Sequence, residues 1–139
     1  MRALQSSGAV DGSTPTPPRP YNPLMILNHV NLTVFDALET RLFLEKYFGL
    51  RGQEGGNRGF QVLYDDNTLV LTLIKGRAEE VRYPPTFHIG FIQPSAQHVD
   101  AINARLKADG FDVPPPSQQH GSWTFYFQAP GGFVIEVLS

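Results

Sequence analysis

Residues 26–34, Ile-Leu-Asn-His-Val-Asn-Leu-Thr-Val, alternate strictly after Asn28, with His29, Asn31 and Thr33 on one side and Val30, Leu32 and Val34 on the other. Such a period of two predicts a half-buried strand. Asp36 then reads as an N-cap with Glu39 three residues on, a capping-box spacing. Thr40, Phe43, Leu44, Tyr47 and Phe48 follow at helical spacing, and Gly49 stops the run. A glycine-rich hairpin region (Gly52, Gly55, Gly56) leads to strands expected near 58–64 and 68–75, divided by the turn Asp65-Asp66-Asn67.

The second half replays this order. Thr86 to Ile92 predicts a strand with His88 and Gly90 on one side and Phe87, Ile89 and Phe91 on the other. Ser95 caps a helix whose stripe is Val99, Ile102 and Leu106, and Gly110 ends it. Strands are expected near 111–114, 122–128 and 132–138, with a loop at Pro114-Pro115-Pro116-Ser-Gln-Gln. The halves also align: His88 takes the place of His29, and the closing run 65–73 lies over 129–137 without a gap, so Glu136 takes the place of Thr72. An internal repeat of this kind outranks local propensity as a fold signal. The pattern therefore predicts an α+β fold of two tandem βαβββ modules, about 25–76 and about 84–139, forming a cupped, partly open eight-stranded sheet with helices on its outer face. Residues 1–24, rich in proline from Pro15 to Pro23 and without apolar periodicity, read as a disordered tail.

The apolar face of each sheet must cover its helix, which leaves the other face for chemistry. That face carries His29, Asn31 and Thr33, then His88, then Thr124, Tyr126 and Gln128, and finally Glu136. A lone histidine on a strand is usually structural, but two histidines and a carboxylate at matched repeat positions point to a metal ion. Two neutral imidazoles and one carboxylate make a site with open positions for substrate.

Composition narrows this picture. With no cysteine among 139 residues, there is neither disulfide nor thiolate, so any metal is held by nitrogen and oxygen. The set His29, His88 and Glu136 suits Fe(II), Mn(II), Ni(II), Co(II) or Zn(II) rather than the hard cations, which favour oxygen shells. A net charge of −2 gives no basic footprint for nucleic acid. No apolar run approaches the roughly 20 residues of a membrane span. The start lacks an apolar signal core, so the cytoplasm is the expected location.

Asn28-His29-Val30, Phe87-His88-Ile89-Gly90-Phe91 and the closing run Tyr126-Phe-Gln-Ala-Pro-Gly-Gly-Phe-Val-Ile-Glu136 resemble the vicinal oxygen chelate superfamily over residues 26 to 139. That group includes glyoxalase I, methylmalonyl-CoA epimerase, extradiol dioxygenases, fosfomycin-resistance transferases and bleomycin-binding proteins. The resemblance implies metal ligands at His29, His88 and Glu136. The fourth ligand position is Thr72, where glyoxalase I places glutamate and the epimerase glutamine, so both activities are disfavoured.

The run around Tyr126 is similar to the extradiol signature, in which the tyrosine hydrogen-bonds substrate. His120 is the candidate for that signature's upstream histidine, although it stands one residue too close and Gln118 departs from the pattern. Fosfomycin-type enzymes carry basic residues where Pro116 stands and beyond the final glutamate, and these are missing. The resemblance thus implies an enzyme acting on a small molecule that chelates the metal through neighbouring oxygens, extradiol-dioxygenase-like first. Tyr126 and His120 are its expected catalytic residues, and Asn31, Thr33, Thr72 and Thr124 its expected substrate contacts. A fosfomycin-resistance-type thiol transferase and a bleomycin-resistance-like binding protein are the alternatives. A homodimer is expected, with the site inside one chain or shared by two.

Overall fold

A computed structural model describes residues 25–139. The expected tail at 1–24 lies outside the described residues. Two βαβββ modules follow one another, each building its own four-stranded mixed sheet. Strand β1 (His29–Val34) runs parallel to β4 (Val70–Lys75), which pairs antiparallel with β3 (Phe60–Tyr64), and β3 with the two-residue β2 (Arg51–Gly52). In the second module β5 (His88–Ile92) runs parallel to β8 (Val134–Leu138), and β8 pairs antiparallel with β7 (Ser122–Gln128). Strand β6 (Ser117–Gln119) completes that sheet.

Each module has one helix. In α1 (Ala37–Phe48) the Asp36 side chain accepts the Glu39 backbone N–H at 2.9 Å, as an N-cap must. Gly49 leaves the helix at φ 67°, the left-handed conformation that glycine adopts without a Cβ clash. In α2 (Ala96–Ala108) Ser95 is the N-cap, and Gly110 turns the chain at φ 91°. No helix among the described residues is long and apolar enough to cross a membrane.

The apolar parities of both sheets meet the helices in one core. Leu32, Val34, Leu63, Leu71 and Leu73 of the first sheet join Phe125, Phe127, Ile135 and Val137 of the second, with Phe43, Leu44, Val99 and Leu106 of the helices. Aromatic contacts stitch the modules: Phe48 stacks on Phe91 at 4.3 Å between centroids, and Phe43 meets the edge of Phe111 at 5.3 Å. The turn Pro130-Gly131-Gly132 docks into the first module through the Gly131 carbonyl, which accepts the Phe35 N–H at 3.2 Å.

Two expectations are corrected. No strand forms near 111–114: Phe111 and Val113 pack into the core as isolated apolar residues. The prolines that follow supply no N–H for a ladder. Of the loop expected at 114–119, residues Ser117–Gln119 are instead an edge strand, exposed throughout and so invisible to hydrophobic periodicity.

Candidate functional site

Register carries the repeat into three dimensions. Asn31 lies opposite Thr72 on the first sheet, and Gly90 opposite Glu136 on the second, so Thr72 and Glu136 occupy equivalent places. Tyr126 lies opposite Glu136 on the other flank. On this face, turned away from the helices, four side chains gather: His88, Glu136, Tyr126 and Thr124.

The histidine and the carboxylate converge, with His88 Nε2 3.3 Å from Glu136 Oε2. His88 Nδ1 is 3.0 Å from the Thr86 carbonyl oxygen. A carbonyl only accepts, so Nδ1 donates to it, and Nε2 is the ring atom turned toward the carboxylate. Either a proton carried on Nε2 or a metal ion between the two atoms satisfies both. That is the arrangement of a ligand histidine whose second nitrogen is anchored by the backbone.

Glu136 is itself held in place. The Thr124 hydroxyl lies 3.1 Å from its Oε1 and 2.9 Å from the Val137 carbonyl oxygen. Thr124 is buried, so its hydroxyl orients the carboxylate instead of offering itself to a substrate. The Tyr126 ring stands edge-on to His88 at 5.4 Å between centroids. Hydrogen bonding to the Glu136 carboxylate, then burial and the carboxylate's charge, push the Tyr126 phenol above its usual pKa. It is therefore a proton-bearing donor at neutral pH.

The remaining candidates lie apart from this group. His29 is on the other sheet, exposed, with Nδ1 2.9 Å from Asn28 Oδ1. Among the described residues, no three His, Cys, Asp or Glu side chains are gathered tightly enough to hold a metal ion. One chain thus brings together two of the three expected ligands. Thr72 Oγ1 and Asn31 Oδ1 are 2.8 Å apart and satisfy each other. The Thr33 backbone is clamped by the Tyr83 hydroxyl, which accepts its N–H at 2.9 Å and donates to its carbonyl at 2.7 Å.

His120 sits with Gly121 in the two-residue turn joining β6 to β7, at φ 50°. At about 3.3 Å per residue, β7 separates that turn from Tyr126 by roughly 13 Å. His120 is not brought to the His88–Glu136 pair within one chain. Gly90, read from the sequence only as a member of the polar parity, proves to border Glu136 directly.

A structure of a possible glyoxalase from Bacillus cereus matches with 52% identity and a TM-score of 0.76, over 84% of this chain and 100% of that one. More distant matches show the fold alone. Lactoylglutathione lyase from Agrobacterium tumefaciens has 20% identity and a TM-score of 0.65, over 84% of this chain and 95% of its own. The fosfomycin resistance protein FosX from Listeria monocytogenes has 21% identity and a TM-score of 0.68, over 84% and 93%. No curated protein matches the sequence. The family model of the Glyoxalase/Bleomycin resistance protein/Dioxygenase superfamily matches residues 26–137, nearly the whole of the two-module fold, and the chain belongs to that superfamily.

Proposed function

We propose that the protein is a divalent-metal-dependent enzyme acting on a small molecule that presents two neighbouring oxygens. Its metal is held by His88 and Glu136 of one copy and by His29 of a second. The observation that carries this reading is the convergence of the anchored His88 Nε2 on Glu136 Oε2 at 3.3 Å. Members of the superfamily commonly use a divalent metal, and these nitrogen and carboxylate donors fit Fe(II), Mn(II), Ni(II), Co(II) or Zn(II). When bound, such an ion supplies a Lewis acid that favours loss of a proton from a chelated hydroxyl.

The chain's own residues do the rest. Thr124 and the Thr86 carbonyl fix the two ligands before any substrate arrives. Tyr126, opposite Glu136 and edge-on to His88, donates its hydroxyl hydrogen bond to charge developing on the substrate. A second copy is favoured by the exposed His29 and by the sheet order. Strands β1 and β5 are both outermost in their sheets; exposed Met25, Ile26 and Leu27 precede β1, and exposed Ile92 ends β5. Unpaired edges and apolar side chains in one place favour association.

The reaction we assign first is dioxygenase-like oxidation of a vicinal diol, because Thr72 spends its hydroxyl on Asn31 and supplies no fourth carboxylate. Isomerisation of a 2-oxoaldehyde adduct is the second reading, favoured by the 52% identity to a possible glyoxalase. The deciding experiment loads the purified protein anaerobically with each of Fe(II), Mn(II), Ni(II), Co(II) and Zn(II). Oxygen uptake is then followed with catechols, and product formation with the methylglyoxal–glutathione adduct. About one metal per chain, lost in His88→Ala, with turnover of one of these substrates is the expected result. Less than about half an equivalent of metal, with ligand binding untouched by His88→Ala, overturns the reading in favour of a binding protein.

A further inference from the structure

Gly90 is a glycine without a conformational or packing reason. It lies inside strand β5, and its φ is not among the positive values that exclude side chains. A Cβ built on it finds its nearest neighbours at 3.6 Å (Leu138 Cδ2) and 3.8 Å (Glu136 Oε2), both ordinary contacts. Gly52, the other strand glycine, differs: a Cβ there falls 2.0 Å from the Arg41 side chain. Glycine inside a strand costs stability, and where it persists without crowding it marks a place that a ligand or another backbone approaches closely.

The repeat supplies an internal control. Gly90 lies opposite Glu136 as Asn31 lies opposite Thr72. In the first module the Asn31 side chain covers its neighbour and bonds it at 2.8 Å. In the second module the corresponding side chain is missing, so on that flank Glu136 has the Gly90 backbone beside it, while Tyr126 lies on the other. The asymmetry falls on the module that holds the His88–Glu136 pair.

We infer that Gly90 is a specificity-determining residue, and that the space left by its missing side chain, beside Glu136 Oε2 and Leu138, receives part of the bound small molecule. This rests on the function proposed above and adds to it the wall against which the substrate lies. Leu138 and Ile92 line the space on one side with apolar side chains, and the Glu136 carboxylate on the other disfavours an anionic group. The part of the substrate seated there is therefore apolar: the ring or alkyl portion of a diol, not a phosphonate or carboxylate.

The test compares wild type with Gly90→Ala and Gly90→Val, using Co(II) binding, binding of 4-nitrocatechol and 4-tert-butylcatechol to the Co(II)-loaded protein, and oligomeric state by sedimentation. The expected result is Co(II) affinity within about threefold of wild type and an unchanged oligomeric state. Alongside it, catechol affinity falls about tenfold or more in Gly90→Val and less in Gly90→Ala, the range that a few methyl groups command in a pocket. Catechol affinities equal to wild type in both variants overturn the inference while leaving the metal site standing. Dissociation of the oligomer in Gly90→Val also overturns it, since a second copy's backbone is then the neighbour that needs the space. A wild type that binds no Co(II) removes the proposed function, and this inference with it.

Discussion

Thr124 positions Glu136, the carboxylate proposed above as a metal ligand. It is buried, and its single hydroxyl proton is shared between Glu136 Oε1 at 3.1 Å and the Val137 carbonyl oxygen at 2.9 Å, tying the Glu136 side chain on β8 to β7. Groups of this kind orient metal ligands, and removing them typically weakens metal affinity by about 10- to 100-fold. Thr124→Val keeps the shape and deletes the hydroxyl, so Co(II) affinity measured by calorimetry should fall within that range. Thermal or denaturant unfolding should register only about 1 kcal/mol, the net worth of one hydrogen bond. If Co(II) affinity is unchanged, Glu136 is not positioned by Thr124. Strand parity in the sequence put Thr124 on the right face but assigned it to the substrate. Parity tells which side a residue faces, whereas burial depends on the neighbouring strand. Here that strand is β6, whose Ser117 pairs with Thr124 and whose polar residues gave no periodic signal. His88, Glu136 and Tyr126 were legible because each stands singly among apolar neighbours of opposite parity.

The β6–β7 hairpin decides what His120 does. Its turn residues, His120 at φ 50° and Gly121 at φ 82°, both take the left-handed conformation that two-residue hairpin turns require. Asparagine adopts this conformation more readily than histidine. His120→Asn should therefore leave stability within about 0.5 kcal/mol of wild type or raise it slightly. It should also leave metal and catechol binding unchanged; a loss of turnover on a working substrate would restore the acid–base role that the sequence pattern suggested. A different element pair shows charge at work. Near the ends of α1 and α2, Asp109 accepts a hydrogen bond from the Tyr47 hydroxyl and pairs with Lys46 at 3.2 Å. The Tyr47 hydrogen bond first, then Lys46, holds the Asp109 carboxyl below its usual pKa. A carboxylate depressed in this way adds stability above its unfolded pKa and loses it as pH falls through the folded value. Asp109→Asn should lower the melting temperature at pH 7, and the gap to wild type should close below the ordinary carboxylate range. An equal gap at both pH values would mean that shape, not charge, holds the clasp. Both helices were legible from their caps and stripes. The strand expected near 111–114 was not real because Phe111 and Val113 imitate strand alternation while burying themselves against the helices.

For the whole molecule, alternation fixes which face of each sheet is apolar, but it cannot say which sheet stands opposite which. The two modules share one core through Phe43, Phe48, Phe91 and Phe127, and each turns its polar face outward. His29 consequently lies on one sheet and the His88–Glu136 pair on another, with β1 and β5 left as unpaired edges. If a second copy supplies the missing ligand, two defects in different modules must complement each other. His29→Ala and His88→Ala should each bind Co(II) poorly as pure proteins. A dimer joining one chain of each kind contains one site that has lost both histidines and one that keeps both. When equal amounts are unfolded together and refolded, about half the dimers are mixed, so about a quarter of all sites should regain wild-type Co(II) affinity, as twofold symmetry requires. The absorption bands of bound Co(II) report this recovery without any substrate. A mixture that binds no more Co(II) than its separate components, although sedimentation shows mixed dimers, would place the three ligands outside any shared site and leave His29 a surface residue of β1.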